Sequence, residues 1–323
     1  MAPTLVKGRA LFLIQYIHEI STIQEQTPDI MITASIVTYN DHLLDIEAIL
    51  RSIVASPIRK VWIIDHSDQV LTLREELQQY MQRDKEIRAH IQRGFQIEYL
   101  FEENVGYGRG NNRAIRLAME EGSQYHLVVN PDVWFSSDVI PTIWKHMEEH
   151  PEVGQIMPKV LFLDGNIQPL AKLLPTPMDM FCRMLLPGWM FTKRNKRYEL
   201  LHSGYKYIMN VPCLSGCFMF LRMSALNETG LFDERYFMYA EDFDLTRRIH
   251  RKYETLFFPQ VSIYHKFSRG SHRSLRLFLA HTTSMVRYFC KFGWFYDSER
   301  YQFNRRILDK IKEMSDLSSS SVK

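Results

Sequence analysis

Four short apolar segments in the first half of the 323-residue chain are each followed by polar or acidic residues. In chain order these groups are Thr38-Tyr39-Asn40, Asp65-His66-Ser67, Glu102-Glu103-Asn104 and Asn130-Pro131-Asp132. Any one of them is typical of a helix cap or a turn. Ligands of open parallel sheets bind outside the carboxyl ends of the strands. Four such groups in series therefore favour a ligand site at one edge of a sheet.

A glycine-rich turn runs from Asn104 to Asn112 with the sequence Asn-Val-Gly-Tyr-Gly-Arg-Gly-Asn-Asn. A dinucleotide-binding fingerprint requires glycine at its first, third and sixth positions, directly after a first strand. Counted from Gly106, the sixth position is Asn111, and the turn follows the third predicted strand. This mismatch argues against a nucleotide-dependent oxidoreductase. The turn predicts instead a backbone that can approach a ligand closely, with asparagine side chains available for hydrogen bonds.

Asp132 follows an apolar segment and a proline, which restricts the local backbone. A carboxylate in this position is suited to Mg²⁺ or Mn²⁺, hard ions that take oxygen ligands and bind diphosphates. His265 follows a later apolar segment and precedes Lys266 and Arg269. A single histidine is more often structural, but the basic residues after this one are compatible with a diphosphate site.

A second acidic group, Glu241-Asp242-Phe243-Asp244, opens a predicted helix after an aromatic-rich stretch at 232–239. Carboxylates at a helix N-terminus oppose the helix dipole favourably, so capping alone would explain them. In an apolar setting, however, the basicity of a carboxylate can be adjusted for proton abstraction. The residues themselves leave both interpretations open.

The elements that would position these residues alternate from Met31 onward, with short apolar strands between helices. This order is typical of an α/β fold with a mostly parallel sheet. The predicted strands cover residues 32–39, 60–65, 96–101 and 125–130, and the helices after them cover 43–54, 71–81, 111–121 and 139–146. An amphipathic helix and a linker are predicted before them, at 1–29.

The regular alternation stops after Val153. A hairpin is predicted at 161–168 around Asp164-Gly165. An irregular stretch follows at 170–210, long enough to be functional or mobile. It carries the basic residues Lys193, Arg194, Lys196 and Arg197. The remaining predicted elements are a strand at 211–222, a helix at 241–252, a strand pair at 256–264 and helices at 274–291 and 298–314.

The composition is that of an ordinary globular protein, with 46% apolar residues, 24% charged residues and a formal net charge of +3. Between Lys266 and Glu313, eleven Lys and Arg residues oppose four Asp and Glu residues, a local balance of +7. This basic C-terminal region suggests an anionic partner surface. Its apolar residues are compatible with helices packed on the core and with helices on a membrane surface.

Cysteine usage and hydropathy indicate the compartment. The cysteines lack the paired spacing of a zinc site, and buried free thiols in a reducing cytosol are predicted. They are Cys182, Cys213, Cys217 and Cys290. No signal peptide is evident, nor is a run of about 18 apolar residues. Any membrane role is therefore predicted to be peripheral.

Several stretches together resemble glycosyltransferase family 2, specifically its bacterial rhamnosyltransferase-like branch. The resemblance covers about residues 31–297. The stretches that carry it are Ser35-Ile-Val-Thr-Tyr-Asn40, the turn from Asn104 to Asn112, Val129-Asn-Pro-Asp132, Leu214-Ser-Gly-Cys-Phe-Met-Phe-Leu-Arg222, Gly230-Leu-Phe-Asp-Glu-Arg-Tyr-Phe-Met-Tyr-Ala-Glu-Asp-Phe-Asp-Leu245 and Lys291-Phe-Gly-Trp-Phe-Tyr-Asp297. Each is moderately specific alone, and their order and spacing make the resemblance strong.

The resemblance implies a GT-A type fold, a Rossmann-like mostly parallel sheet with an acceptor-side extension and C-terminal helices. The catalytic domain would span 30–265, with a nucleotide-binding half at about 30–160 and an acceptor half at about 161–265. The segment at 1–29 would be an N-terminal helix and linker, and 266–323 a basic helical extension.

Site residues are carried over from the family motifs. The nucleoside pocket would be lined by Thr38, Tyr39, Asn40 and Asp65 and supported by Asn104, Gly106 and Asn112. Asp132 would be the last acid of the Asp-x-Asp metal motif, whose first position is here Asn130. His265 would be the second metal ligand, and Arg269 would contact the diphosphate. Asp242, beside Glu241, would be the catalytic base.

The implied activity is an inverting transfer that depends on Mg²⁺ or Mn²⁺. The expected donor is dTDP-rhamnose, and the acceptor a hydroxyl of a bacterial surface glycan or of a lipid-linked saccharide. The expected location is the cytoplasm, with possible contact at the cytoplasmic face of the inner membrane; nucleic acid is not expected as a partner. The alternatives are the same fold with a UDP-hexose donor and a non-catalytic nucleotide-sugar-binding module.

Overall fold

The computed structural model describes residues 30–68, 72–185, 188–266 and 275–320. The helix and linker predicted at 1–29, and the proposed diphosphate ligand Arg269, lie outside the described residues.

The first half of the chain builds a parallel sheet. Its strands, in the spatial order β3-β2-β1-β4, are β1 (Ile32–Thr38), β2 (Lys60–Asp65), β3 (Gln96–Phe101) and β4 (Tyr125–Val129). Strands β1, β2 and β4 are buried along their whole length. Burial on both faces requires continuous apolar runs, which is why the strands could be predicted from the sequence. All four predictions are confirmed to within a residue or two.

Helices connect these strands. They are α1 (Leu43–Val54), α2 (Thr72–Arg83), α3 (Lys85–Gln92) and α4 (Tyr107–Glu120). Helix α3 was not predicted; Asp84 begins it by accepting hydrogen bonds from the amides of Glu86 and Ile87. Helix α4 begins at Tyr107 rather than near Asn111, so the prediction placed its start too late.

The helix predicted at 139–146 is confirmed as α5 (Val139–Glu149). Strand β5 (Val133–Phe135) before it and the nine-residue strand β6 (Val153–Leu161) after it were not predicted. Strand β6 contains Pro158, which argued against a strand in the sequence because proline lacks the backbone N–H that a central strand donates. The structure accommodates it with a register shift in the neighbouring strand, between Phe258 and Ser262. The hairpin is confirmed by the antiparallel bridge between Leu161 and Ile167.

The stretch at 170–210 is more ordered than predicted. It contains β7 (Ala171–Lys172), α6 (Pro177–Leu185), a 3₁₀ turn (Gly188–Phe191), α7 (Thr192–Tyr198), a second 3₁₀ turn (Leu201–Ser203) and β8 (Met209–Asn210). Two ion pairs join α6 to the α7 region: Arg194 Nε lies 2.5 Å from Asp179 Oδ1, and Arg183 Nη1 lies 2.7 Å from Glu199 Oε1. Such long-range pairs are invisible to local sequence patterns.

The strand predicted at 211–222 is divided into two, and the strand pair predicted at 256–264 is one strand of twelve residues. The elements here are β9 (Cys213–Leu214), β10 (Phe218–Arg222), α8 (Met223–Thr229), α9 (Glu241–His250) and β11 (Glu254–His265). Within the described residues the main sheet runs β3-β2-β1-β4-β10-β6-β11-β5, and β8 pairs with β11. Strand β10 lies antiparallel to β4 and β6.

Helices α10 (Leu275–Phe292) and α11 (Ser298–Ser320) confirm the two predicted C-terminal helices. Arg247 of α9 binds the loop between them, with Nη2 2.6 Å from Asp297 Oδ1 and both side chains almost fully buried. Within the described residues, no helix is both long and apolar enough to cross a bilayer.

Candidate active site

The ends of β1 and β2 are joined through the fully buried carboxylate of Asp65. Thr38 Oγ1 donates to Asp65 Oδ1 at 3.3 Å, the amide of Ser67 donates to the same oxygen at 2.9 Å, and the Tyr99 hydroxyl donates to Oδ2. Burial next to this carboxylate raises the pKa of Tyr99. Thr38 and Asp65 are thus buried and bound to each other at the ends of their strands. Their role in lining a nucleoside pocket stays a prediction.

Tyr39 and Asn40 project from the same edge and are exposed. Asn40 has a positive φ of 56°, a conformation that asparagine tolerates better than most residues. The backbone amide of Asn40 donates to Ser67 Oγ at 2.8 Å. Its side-chain Nδ2 and the Tyr39 hydroxyl both donate to Asp68 Oδ2. Asp68, which the sequence analysis did not identify, therefore holds in place the two side chains that are predicted to contact the nucleoside.

The glycine-rich turn packs against the segment that leads into α9. Gly106 has φ of 99°, and a Cβ there would lie 2.1 Å from the carbonyl oxygen of Phe237. The amide of Tyr107 donates to that carbonyl at 3.0 Å, and Asn104 Oδ1 accepts from the Gly106 amide at 3.2 Å. Glycine is needed here for both the backbone angle and the close approach.

Asn112 is fully buried, and its side chain is not available to a nucleotide. Its Nδ2 donates to the Phe232 carbonyl at 2.8 Å, and its Oδ1 accepts from the Phe232 amide at 3.0 Å. A pair of reciprocal bonds to one backbone residue fixes the segment at 230–240 against α4. Any support that Asn112 gives to a ligand is therefore indirect, through the segment that precedes Asp242.

The two predicted metal ligands meet across paired strands. Strand β11 lies antiparallel to β5 with His265 opposite Val133. This register brings His265 Nε2 to 3.2 Å from Asp132 Oδ1, and the Lys266 amide donates to the Asp132 carbonyl at 3.0 Å. Residues 133 positions apart in the chain thus converge only because β5 and β11 pair. The amide of Asn130 is bound to the Cys217 carbonyl.

Gln168 lies on the other side of the His265 ring and was missed by the sequence reasoning. Its Nε2 donates to the His265 carbonyl at 2.7 Å, and its Oε1 lies 2.9 Å from His265 Nδ1. Because the amide nitrogen is committed to a carbonyl, Oε1 is the acceptor and His265 Nδ1 carries the proton. Nε2 then faces Asp132 Oδ1 and is the ring nitrogen that a metal ion held by both side chains would bind.

A further carboxylate, Asp41, adds negative charge beside this pair. Burial raises its pKa, and Asp45, Asp132 and Asp65 raise it further, while the Tyr39 amide opposes them. Within the described residues, no preassembled group of three or more His, Cys, Asp or Glu side chains could hold a metal. One carboxylate and one imidazole in an acidic surrounding nevertheless fit a divalent ion that takes its other oxygens from phosphate and water.

The second acidic group begins at an unusual backbone. Tyr239 and Ala240 have φ of 67° and 65°, two consecutive non-glycine residues in the left-handed region. Such conformations persist where the surroundings enforce them and concentrate at functional sites. They deliver Asp242, whose Oδ2 accepts from the Gly216 amide at 2.8 Å and whose Oδ1 accepts from the Phe243 amide at 2.9 Å.

Glu241 and Asp242 place a buried and a half-buried carboxyl next to each other. Burial raises the pKa of Glu241 well above its usual range, and the charge of Asp242 adds to that shift. Burial also raises the pKa of Asp242, but the Gly216 and Phe243 amides and the charge of Lys172 oppose it. Glu241 Oε2 has no hydrogen-bond partner within the described residues. The proton that the pair retains therefore resides first on Glu241, which leaves Asp242 the better candidate for a base.

Lys172 is a further residue that the sequence reasoning missed. It lies on β7, opposite Cys213 of β9. Burial lowers its pKa, whereas the nearby charge of Asp242 opposes that shift. A two-residue strand inside a stretch without clear periodicity carries no sequence signal that would identify this lysine.

Asp242 and the strand end that carries Asp132 are both bound to one short backbone segment. The amide of Gly216 donates to Asp242, and the carbonyl of the next residue, Cys217, accepts from the Asn130 amide, two residues before Asp132. Burial raises the pKa of the Cys217 thiol to about 12, and the charges of Asp132 and Asp242 both contribute. Both acids therefore lie close enough to Cys217 to influence its thiol. The segment that contains Gly216 and Cys217 lies between β9 and β10 and divides the strand predicted at 211–222.

Residues 33–230 match the sequence profile of Glycosyl transferase family 2, which is more than half of the chain. The chain belongs to glycosyltransferase family 2.

Two curated relatives place this glycosyltransferase in the rhamnosyltransferase-like branch. It is 29% identical over 203 residues to the N-acetylglucosaminyl-diphospho-decaprenol L-rhamnosyltransferase of Mycobacterium tuberculosis, an alignment that covers 55% of this chain and 64% of the relative. It is 26% identical over 225 residues to the rhamnosyltransferase WbbL of Escherichia coli K12, covering 68% of this chain and 80% of that protein. The match thus spans less than two thirds of the mycobacterial relative.

Solved structures confirm the GT-A fold of this glycosyltransferase. GalNAc-T7 with UDP, GalNAc and Mn²⁺ superposes with a TM-score of 0.57 at 14% identity, over 80% of this chain and 47% of that one. The mannosyltransferase PcManGT of Pyrobaculum calidifontis, in complex with GDP-Man and Mn²⁺, gives 0.52 at 17% identity, over 86% and 70%. At such identities the likeness concerns the fold alone.

Proposed function

We propose that this chain is an inverting glycosyltransferase that moves L-rhamnose from dTDP-rhamnose to a hydroxyl of a lipid-linked saccharide or another bacterial surface glycan. The observation that carries the proposal is that Asp242 and the strand end that carries Asp132 are bound to adjacent residues, Gly216 and Cys217, while Asp132 contacts His265. A base and a diphosphate site must face one another across a sugar for direct displacement. The names of both curated relatives support rhamnose, and that of the mycobacterial one supports a lipid-linked acceptor.

In the proposed reaction, Asp242 accepts the proton of the acceptor hydroxyl while that oxygen bonds to the anomeric carbon. The bond between the anomeric carbon and the diphosphate oxygen breaks on the opposite face, and its electron pair leaves with the nucleotide. One displacement inverts the anomeric configuration. The two backbone amides on Asp242 hold its carboxylate in position, and Glu241, protonated, adds no competing charge.

Asp132 and His265 would hold Mg²⁺ or Mn²⁺, with His265 oriented by Gln168. A divalent ion bound there would offset the negative charge that develops on the departing diphosphate. The carboxylates around it, Asp41 above all, disfavour a bare diphosphate and so make donor binding depend on the ion. The exposed Tyr39 and Asn40 are proposed to contact the nucleoside.

The first experiment measures thermal stability of the protein with dTDP, UDP and GDP and their sugars, each with and without Mn²⁺. A ligand that binds only the folded state raises the melting temperature. The proposal expects stabilisation by dTDP and dTDP-rhamnose, and only with the metal. A preference for UDP and a UDP-hexose would assign the alternative donor class and overturn the rhamnose proposal.

Transfer is then measured with the stabilising donor, and the anomeric configuration of the product is read by NMR. The variant compared with the wild type is Asp242→Asn, which keeps the size of the side chain. This variant should bind donor as the wild type does and lose about 10²–10⁴-fold in kcat, the usual contribution of general-base catalysis. Full activity of Asp242→Asn, or a retained configuration, would refute the mechanism.

A further inference from the structure

Two segments near the acceptor side expose large apolar side chains. One comprises α6 and the 3₁₀ turn after it, and the other is the loop between α10 and α11. Their exposed side chains, called here the aromatic patch, are Met178, Phe181, Trp189, Met190, Phe295 and Tyr296. Trp189 is 79% and Phe295 85% exposed. Exposed clusters of large apolar side chains mark sites of protein or membrane interaction.

The two segments are fastened to each other. Arg300 Nη1 donates to the Pro175 carbonyl at 3.3 Å, and its Nη2 donates to the Trp294 carbonyl at 3.1 Å. Asn304 binds both backbone groups of Leu174, at 2.8 and 2.9 Å. The chain just before α6 is therefore bound to the start of α11 and, through Arg300, to the α10–α11 loop.

Helix α7 adds positive charge next to Trp189. Lys193, Lys196 and Arg197 are exposed, and none forms an ion pair within the described part of the chain, whereas Arg194 is paired with Asp179. Unpaired cations beside exposed aromatic side chains are complementary to the anionic headgroups and interfacial region of a bilayer.

We propose that the aromatic patch and the cations of α7 dock this protein on the surface of an anionic lipid bilayer. Aromatic side chains enter the boundary between headgroups and acyl chains, and the lysines contact the headgroup phosphates. The patch is linked to the proposed base along the chain, since Lys172, whose charge acts on Asp242, is followed directly by the Leu174–Pro175 segment that Arg300 and Asn304 hold. The benefit of this placement rests on the proposed function, because a lipid-linked acceptor would then approach Asp242 from the membrane plane.

The test is co-sedimentation of the purified full chain with phosphatidylglycerol/phosphatidylethanolamine vesicles at low salt, compared with phosphatidylcholine vesicles. It needs neither donor nor acceptor, so its outcome is separate from that of the proposed activity. The patch variant is Trp189→Ser with Phe295→Ser, and the charge variant is Lys193→Glu with Lys196→Glu. Their controls, Leu163→Ser and Lys145→Glu, change exposed residues outside the patch.

The wild type should bind the anionic vesicles, and each double variant should bind on the order of tenfold more weakly with an unchanged melting temperature. Brominated lipids should quench the wild-type fluorescence more than that of Trp189→Phe, which locates Trp189 in the bilayer. The proposal is overturned if the wild type does not bind, if the double variants bind like the controls, or if neutral vesicles bind equally well. A patch variant that alters only the oligomeric state would assign the surface to a second copy of the chain.

Discussion

Gln168 and His265 hold each other by two hydrogen bonds: the glutamine amide nitrogen donates to the histidine carbonyl, and its oxygen accepts from the imidazole Nδ1. Both side chains are buried. The pairing fixes the imidazole with Nε2 facing Asp132. A residue of the 161–168 hairpin, 97 positions away in the chain, thus orients the proposed metal ligand.

Replacing Gln168 by Leu should weaken metal binding without removing a ligand. The loss of such an orienting partner typically lowers metal affinity by about 10–100-fold. We expect the half-saturating Mn²⁺ concentration to rise by that factor, while kcat at saturating Mn²⁺ stays near the wild-type value. Asn166→Ala, on the same hairpin, is the control. An unchanged Mn²⁺ requirement would show that Gln168 does not orient His265.

The acid limb of the pH–rate profile should lie above the usual range of a carboxyl group. The base must be ionised to accept a proton, and burial raises the pKa of Asp242. Lys172 opposes that shift, so Lys172→Met should move the limb to still higher pH, and kcat should recover at the alkaline end. Lys172→Arg, which keeps the charge, should retain the profile. A lower kcat at every pH with no shift would mean that Lys172 acts otherwise.

Glu241→Gln should stabilise the protein at neutral pH. The pKa of Glu241 is raised in the folded state from an ordinary value of 4.5. Between the ordinary pKa and the raised pKa, the folded state holds more protons than the unfolded state. The free energy of unfolding therefore falls as pH rises through this window. The amide variant avoids this loss and should melt higher at pH 8 than the wild type, by about 2–4 °C for each kcal/mol recovered.

Thermal unfolding from pH 4 to 8 measures this effect, and the difference between the two proteins should vanish at the acid end. Glu228→Gln is the control, because exposed partners lower rather than raise the pKa of Glu228. A stabilisation by Glu241→Gln that is the same at every pH would contradict the assignment of a buried proton to Glu241.

Asp297→Ala should destabilise the fold strongly. It leaves the guanidinium of Arg247, 1% exposed, without its closest carboxylate partner. Breaking a buried pair from one side costs about 3–5 kcal/mol. Asp309→Ala breaks the exposed pair with Arg305 and should cost less than about 1 kcal/mol. Chemical denaturation of both variants measures the difference, and equal losses would show that Arg247 finds other partners.

The nucleotide-side strands were predictable because each is an apolar run that ends at a polar group. Strand β6 was not, because Pro158 contradicts a central strand locally and the neighbouring register shift that accommodates it lies about 100 residues further on. The residues proposed for the site were all found by motif except Gln168, Lys172, Asp41 and Asp68. These four act through partners distant in the chain or through charge, which no local pattern records.

By itself the amino-acid sequence determined the family, the parallel half of the sheet and the identities of Asp132, Asp242 and His265, because side-chain type and strand periodicity are local properties. Only the tertiary structure decided what those residues can do. The pairing of β5 with β11 brings His265 to Asp132, and the break between β9 and β10 sets the Gly216 amide against Asp242. Distance, burial and protonation depend on long-range packing, so they follow from the folded chain rather than from its local patterns.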